Sequence, residues 1–429
     1  MRANTAGVSS EARTHTTPLQ LFNIAVLWFA INFWWAGVLA ILLPVFVAGI
    51  AGEGLKGTYV FFIGATGAAL SSLVQLVIGP VSDRTTGRYG RRTPYMFVGV
   101  MLALPAIYLF FRAPDVSSFA LLLLAYGWIQ IWLNIGSGPY QAIIPDLVPD
   151  NRQGVAAAFM GMMLLLGNAA GLLAIFHWRE NLIVVCYIAV ALLAASAIYT
   201  CVTTGEPPRY DNPLGRFRLS ETFRIPLRRY PDFTWLMASR FFINLAFYTA
   251  LPFLLYYLKD ALGSDAPTAD MGKLSLIATF SGVAGNWPSG WLSDRISKKA
   301  IVYFTCVLMT IASVFFVFNT SLNAAFLIAA LFGTSWGAFA AVDWAFACNL
   351  VPKKEEGRYM AVWHLAFTVP QVIAPWVGPL ADWANRSYPQ MPGIGWRLAL
   401  ALIPFYLAIG AWAIRHVREP RVQPTGPTP

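Results

Sequence analysis

GPVSDR, at Gly79–Arg84, returns 211 residues later as GWLSDR, at Gly290–Arg295. Each hexapeptide closes a long apolar run and opens a short basic loop. Two more echoes keep nearly the same offset. DLVPDNRQG at Asp146–Gly154 becomes NLVPKKEEG at Asn349–Gly357, and LLPVFV at Leu42–Val47 becomes ALPFLL at Ala250–Leu255. All three fall at matching places within a set of six apolar runs, so the chain reads as one six-run unit written twice.

Those runs set the solvent. Of the 429 residues, 57% are hydrophobic and 12% charged, where soluble domains carry about a quarter. A stretch of about 20 apolar residues crosses the hydrocarbon core as a helix. Twelve are present, near Leu19–Ile50, Thr58–Val81, Pro94–Phe111, Ser117–Pro145, Gly154–Phe176, Leu182–Val202, Phe233–Leu258, Met271–Leu292, Ala300–Phe318, Asn323–Val351, Tyr359–Ala381 and Trp396–Val417. The first is too long for a signal-peptide core and lacks a small-residue cleavage site, so it is expected to stay as the first span. The expected fold is an all-α membrane protein of twelve transmembrane helices in two six-helix bundles, 19–202 and 233–417. A polar linker, 203–232, joins them, and an amino-terminal segment, 1–18, and a proline-rich disordered tail, 418–429, flank them. Cys186, Cys201, Cys306 and Cys348 all lie inside apolar runs without metal or redox spacing and read as small buried side chains.

A net charge of +10 raises the question of nucleic acid, but placement answers it. The termini and the even-numbered connections hold 22 of the 30 Lys and Arg. Basic loops are retained in the cytoplasm, so the excess charge reports topology: a multi-pass protein of the cell membrane, both termini cytoplasmic, with no nucleic-acid partner. A six-helix unit repeated in parallel is a plan of secondary transporters, with the solute site near the midplane between the halves.

The stretch Gly79–Tyr95, GPVSDRTTGRYGRRTPY, concentrates four arginines and one aspartate. Gly79 permits close helix approach. Asp83 is placed to accept N–H groups at a neighbouring helix start, where the dipole favours an anion. Arg84, Arg88, Arg91 and Arg92, with Gly90 at the turn, and Asp294 and Arg295 in the second copy complete a candidate conformational latch. The simpler alternative is a positive anchor at the membrane surface. Gly-x-x-x-Asp-Arg followed by Gly-Arg-Arg resembles the loop signature of the major facilitator superfamily. The longer form through Thr93-Pro94-Tyr95 is similar to the branch holding sucrose transporters and glycoside–pentoside–hexuronide symporters, as are Gly138-Pro139-Tyr140-Gln141-Ala142 and Val342-Asp343-Trp344-Ala345. The resemblance implies the major facilitator fold, transport by alternating access, no enzymatic activity and no cofactor.

Ionisable groups at membrane depth cost several kcal/mol and need a partner or a function. Arg240 lies nine residues past Pro231 and Asp343 nine before Pro352. At about 1.5 Å per residue both sit roughly 13 Å from the same boundary, so a salt bridge is feasible. Aligning the repeats sets Arg240 against Asn32 and Asp343 against Tyr140. One reading has Asp343 carry a transported proton, with Arg240 tuning it and His364, at similar depth, relaying. The others are a permanent pair joining two helices, or substrate contact without proton movement. Where plant sucrose transporters carry a carboxylate in the fourth span and a basic residue near its end, this chain has Gln130 and Gln141. The melibiose-type sodium carriers use aspartates in the second and fourth spans, whereas this second span offers only Ser71, Ser72 and Gln75, so sodium coupling at that site is disfavoured.

A pyranose has polar edges and apolar C–H faces, so a sugar site needs amides and hydroxyls beside aromatic rings. Candidates are Asn32, Trp35, Gln130, Asn134, Tyr140, Gln141, Asn244, Tyr248, Trp336, Trp344 and Gln371, most of them on the spans that line the cavity in the resembled fold. Interfacial aromatic belts and helix-joining amides use the same residue types. No phosphate loop, paired acid and base beside a nucleophile, or metal cluster is legible. The expectation is a proton-coupled sugar or glycoside symporter acting as a monomer in the lipid bilayer, with small-molecule substrate and protons as its partners. A uniporter or exporter of another solute, or a non-transporting scaffold or sensor, are the alternatives.

Overall fold

Thr17 begins the first helix with a reciprocal cap. Its side chain accepts from Gln20 N (3.2 Å) while the Gln20 side chain accepts from Thr17 N (2.9 Å), and Pro18 takes the first helical position. Ser118 and Ser297 cap two later helices by side-chain acceptance, from Leu121 N and Ala300 N. The computed structural model describes residues 17–149, 153–210, 230–293, 295–350 and 356–418. The middle of the expected linker, both chain ends and Asp294 therefore lie outside the described residues.

Among the described residues twelve long helical segments follow in chain order, with a five-residue helix, Ile143–Leu147, after the fourth. They are α1 (Pro18–Ala51), α2 (Lys56–Asp83), α3 (Thr93–Arg112), α4 (Phe119–Gln141), α5 (Gln153–His177) and α6 (Leu182–Thr203), then α7 (Pro231–Ala261), α8 (Pro267–Ser293), α9 (Lys298–Phe318), α10 (Leu322–Leu350), α11 (Glu356–Ile373 and Val377–Ser387) and α12 (Ile394–Ile414). Among the described residues the only extended pairing is an isolated bridge, Gly87 with Arg209. Ten of the helices are long and apolar enough to cross a membrane. The two that fall short have local reasons. Polar residues such as Asp270, Lys273 and Asn286 dilute α8, and a 3-10 turn at Ala374–Trp376 divides α11. Two helices contain π turns, Val38–Leu42 in α1 and Tyr257–Ala261 in α7.

The described chain forms two compact units: 17–38 with 70–210, and 39–69 with 230–418. In the first unit α1 packs on α5 and α6, and α3 on α4 and α6. In the second, α7 packs on α11 and α12, and α9 on α10 and α12. Adding six to each helix number maps one set onto the other, so the repeat read from three short echoes is also a repeat of packing. Small residues make the tightest seams, as expected where lipid removes the hydrophobic drive between helices. A Cβ on Gly99 of α3 would fall 2.4 Å from Gly136 N of α4, and one on Gly337 of α10 would fall 1.9 Å from Gly282 O of α8.

Candidate functional site

Arg240 and Asp343 meet. The guanidinium, on α7, pairs through Nη1 with the Asp343 carboxylate on α10, at 8% and 3% exposure. Trp363 of α11, which the sequence reading did not single out, stands beneath the guanidinium with Cζ 3.4 Å from its ring centroid. Phe367, one turn on, is at 5.8 Å. A cation against an aromatic face is stabilised by the ring quadrupole, more so where water is excluded. Three helices of the second unit thus converge on one charge pair. The pair is not saturated: Arg240 Nε and the neighbouring Ser239 Oγ are buried without a hydrogen-bond partner among the described residues.

Aromatic and amide groups flank this pair. Phe247 of α7 stacks on Trp336 of α10 at 4.0 Å, and Tyr248 meets Phe367 edge-on at 5.6 Å. Asn244 Nδ2 donates to its own helix at Arg240 O (2.8 Å), and Gln371 Nε2 donates to Phe367 O (3.4 Å). The backbones of His364 and Trp344 are helical, but their side chains lie outside the described residues.

The first unit answers with neutral groups at the matching places. Tyr140 of α4 donates to Ile24 O of α1 (2.5 Å) and accepts from Trp28 N (3.1 Å). Thus α1 and α4 are tied by a phenol, where the equivalent α7 and α10 are tied by an ion pair. Asn32, the counterpart of Arg240, donates to Trp28 O (2.7 Å). A chain of amides runs beside it. Gln75 Nε2 of α2 donates to Asn134 Oδ1 (2.7 Å), and Asn134 Nδ2 donates to Gln130 O (2.7 Å) and Gln130 Oε1 (3.1 Å). Trp35 meets Tyr126 edge-on at 6.5 Å. Gln141 is exposed at the end of α4. Gln75 was noted in the sequence only as a missing sodium ligand, yet the structure makes it part of this amide chain.

The arginine-rich loop folds into a network inside the first unit. Arg92, 4% exposed, donates to Asp83 Oδ1 (2.5 Å) and Asp146 Oδ2 (2.9 Å), and also reaches Ser82. Arg91 pairs with the same Asp146 carboxylate, with Nε 3.1 Å from Oδ2. The start of α3 is capped by Glu206, just past α6. Glu206 accepts from Arg91 N (2.8 Å), Arg92 N (2.9 Å), Thr93 N (2.9 Å) and Thr93 Oγ1 (3.0 Å). These N–H groups open α3, where a carboxylate also gains from the helix dipole. Gly90 makes room for it: at φ +80° its Cβ would fall 2.3 Å from Glu206 Cδ. At Gly79 a Cβ would meet nothing within 4 Å among the described residues. Arg84 turns back to Pro80 O (2.9 Å), while Arg88 lies over Tyr89 (4.4 Å) and Arg295 over Trp291 (3.7 Å). Asp83, Arg91 and Arg92 of the expected latch are brought into this ionic network. Asp146 and Glu206 complete it, and neither was legible as a ligand because each lies more than 50 residues from its partners.

A membrane protein built as a parallel six-helix repeat, with a buried ion pair in one copy and an amide cluster in the other, has the construction of a secondary transporter. A family model described as Major Facilitator Superfamily matches residues 29–375 and 236–429. The chain belongs to the major facilitator superfamily. It is similar to the sucrose transport protein SUC4 of Arabidopsis thaliana, 25% identical over 179 residues, covering 38% of this chain and 34% of that protein. It is also similar to a Na(+), Li(+), K(+)/H(+) antiporter of Planococcus maritimus, 24% identical over 155 residues, covering 35% and 36%. The chain spans about a third of the length of the curated relatives it matches. Its fold is like that of a bacterial homolog to the human lysosomal transporter Spinster, solved in an inward-facing and occupied conformation. The TM-score is 0.69 at 16% identity, with 94% of this chain and 97% of that chain covered.

Proposed function

We propose that the protein carries a neutral sugar or glycoside across the cell membrane together with protons, by alternating access, with both termini cytoplasmic. The observation that carries this reading is the buried Arg240–Asp343 pair over Trp363. Ionised, Asp343 holds the guanidinium. Once protonated it loses that hold, and Arg240 is left as a buried charge that only a rearrangement or a bound polar solute relieves. A carboxylate that parts from and regains its partner takes up a proton in one state and releases it in the other. Within the first unit the amides of Gln75, Gln130 and Asn134 stand on α2 and α4, and the Trp35 ring of α1 meets Tyr126 of α4; this pairing of polar edge and aromatic face is the kind a pyranose needs. The printed name of the sucrose transport relative supports that solute class, and the uneven spread of basic residues supports the orientation.

In proteoliposomes, Asp343→Asn should abolish accumulation of labelled sugar against a gradient while leaving sugar exchange intact. Normal proton-driven accumulation by that variant excludes Asp343 as the coupling group. A second reading, exchange of solute for protons, is favoured by the antiporter's printed name. The two differ in the sign of the pH change on adding solute outside.

A further inference from the structure

The corner of the second unit where α7 and α9 begin and α12 ends is basic and aromatic. Lys299, in the first turn of α9, donates through Nζ to Arg415 O (2.9 Å) and Val417 O (2.9 Å), carbonyls where α12 ends. An ammonium has three N–H donors, so these two bonds leave it a third. Arg418 N donates to Asp232 Oδ1 of α7 (2.8 Å). Trp235 of α7 stacks on His416 (4.4 Å) and meets Trp412 of α12 edge-on (5.4 Å), a wall of rings next to Arg415. Arg415 and Arg418 are exposed, and Arg415 acts electrostatically on Tyr303, one turn along α9 from Lys299. The segments 230–237, 294–303 and 411–421 hold six Lys and Arg against three Asp and Glu. No acidic residue lies in the first turn of α9, where the dipole favours an anion. Lys298 and Lys299 add to its positive end instead.

Away from this corner the surface turns apolar. Tyr303, Val307, Ile311 and Phe315 follow Lys299 at four-residue steps along the exposed face of α9. On the exposed face of α12, Phe405, Ile409 and Trp412 lead to Arg415. Steps of three and four keep side chains on one face of a helix. The two helices pack against each other, so two apolar stripes run side by side, each ending in a cation. The Lys299 bond to Arg415 O ties the two ends together. Apolar stripes alone suit any lipid, whereas the excess of positive charge at their end selects one that carries net negative charge.

We propose that this corner binds the phosphate of an anionic phospholipid, the headgroup held by Lys299, Arg415 and Arg418 and the two acyl chains lying along the α9 and α12 stripes. Charge-assisted bonds to phosphate oxygens are among the strongest that Lys and Arg make. The leaflet that supplies the lipid rests on the orientation proposed above. With the carboxyl terminus cytoplasmic, the site faces the leaflet whose anionic lipids attract basic segments at the membrane surface. Trp235 sets one edge of the site on α7, five residues before Arg240. A single headgroup there joins the start of α7, the start of α9 and the end of α12.

The test uses phosphatidylglycerol with a photoactivatable acyl chain, in phosphatidylcholine nanodiscs holding the full chain. Crosslinks should concentrate on the α9 and α12 stripes. Unlabelled phosphatidylglycerol should displace them, while added phosphatidylcholine and inorganic phosphate should not. Arg415→Gln/Arg418→Gln removes two charges and keeps the backbone atoms that Lys299 and Asp232 bond. One Lys or Arg beside an anionic surface is worth about fivefold in affinity, so the double variant should need about 25 times more phosphatidylglycerol for half-maximal crosslinking. Arg415→Gln alone should need about five times more, which decides the matter if the double variant does not fold. Crosslinks spread evenly over the lipid-facing helices, equal labelling by phosphatidylcholine bearing the same chain, or an unchanged requirement in the folded variants overturns the site. Displacement by inorganic phosphate overturns the lipid as its occupant. No solute enters the measurement, so its outcome is separate from that of the transport reading.

Discussion

Replacing Asp343 by asparagine leaves the Arg240 guanidinium, 92% buried, over Trp363 without its counter-ion. Breaking a buried pair from one side costs about 3–5 kcal/mol, most of it the penalty of the charge left behind. Here the penalty falls at the upper end, because Arg240 Nε has no acceptor among the described residues to share the load. Arg240→Gln is the gentler cut. It strands Asp343, 3% exposed, but a carboxyl can be neutralised by taking a proton, whereas an arginine stays charged. Making both changes removes both charges, so the double variant should recover most of the loss, with an interaction energy of about 3 kcal/mol in the cycle. Denaturation of purified protein in detergent measures all four corners. Two single losses each under about 1 kcal/mol, adding without interaction, would refute the idea that the pair holds α7 to α10.

Other expectations follow from single contacts. Glu206→Gln keeps one acceptor but turns an amide N–H₂ toward the start of α3. It should lower stability by about 1–3 kcal/mol, read as an earlier melting of the purified protein. Tyr140→Phe removes the bond to Ile24 O and should cost about 1 kcal/mol while leaving the KM for solute unchanged, a rise in KM marking Tyr140 as a direct contact instead. Burial pushes the Glu53 carboxyl up, but bonds from Lys259 and Lys56 outweigh it and hold it below its ordinary 4.5. A depressed carboxylate contributes above its unfolded value and stops contributing as pH falls through its folded value. The stability this carboxylate contributes should therefore be lost as pH falls through its depressed folded value, read as an earlier melting of the purified protein in acid, and Glu53→Gln should remove that part of the acid dependence. An acid dependence unaltered by Glu53→Gln would contradict a contribution from its pairs with Lys56 and Lys259.

Local composition made the helices legible, and repetition made their grouping legible. Arg240 and Asp343 could be paired in advance because each lies nine residues from a proline at the same boundary, so counting the helical rise sufficed. Trp363 could not be foreseen, since a third helix brings it in and its depth alone does not distinguish it from an interfacial tryptophan. Glu206 was missed for a related reason. A carboxylate near a helix end reads as a solvated charge until folding sets the N-terminus of another helix against it. The loop arginines drew attention to Asp83, which pairs with Arg92, while the cap on the start of α3 falls to Glu206, a residue with no mark in the loop sequence. The π turn in α1 has no sequence mark of its own, for VLAIL at Val38–Leu42 is as apolar as the α-helical residues around it.

The proton is the centre of the proposal, and it can be followed directly. Sugar added outside weakly buffered vesicles holding the wild-type protein should alkalinise the medium as protons enter with solute. The same addition to Asp343→Asn vesicles should leave the pH unmoved. Sugar entry without alkalinisation, or alkalinisation that survives in the variant, would contradict the account.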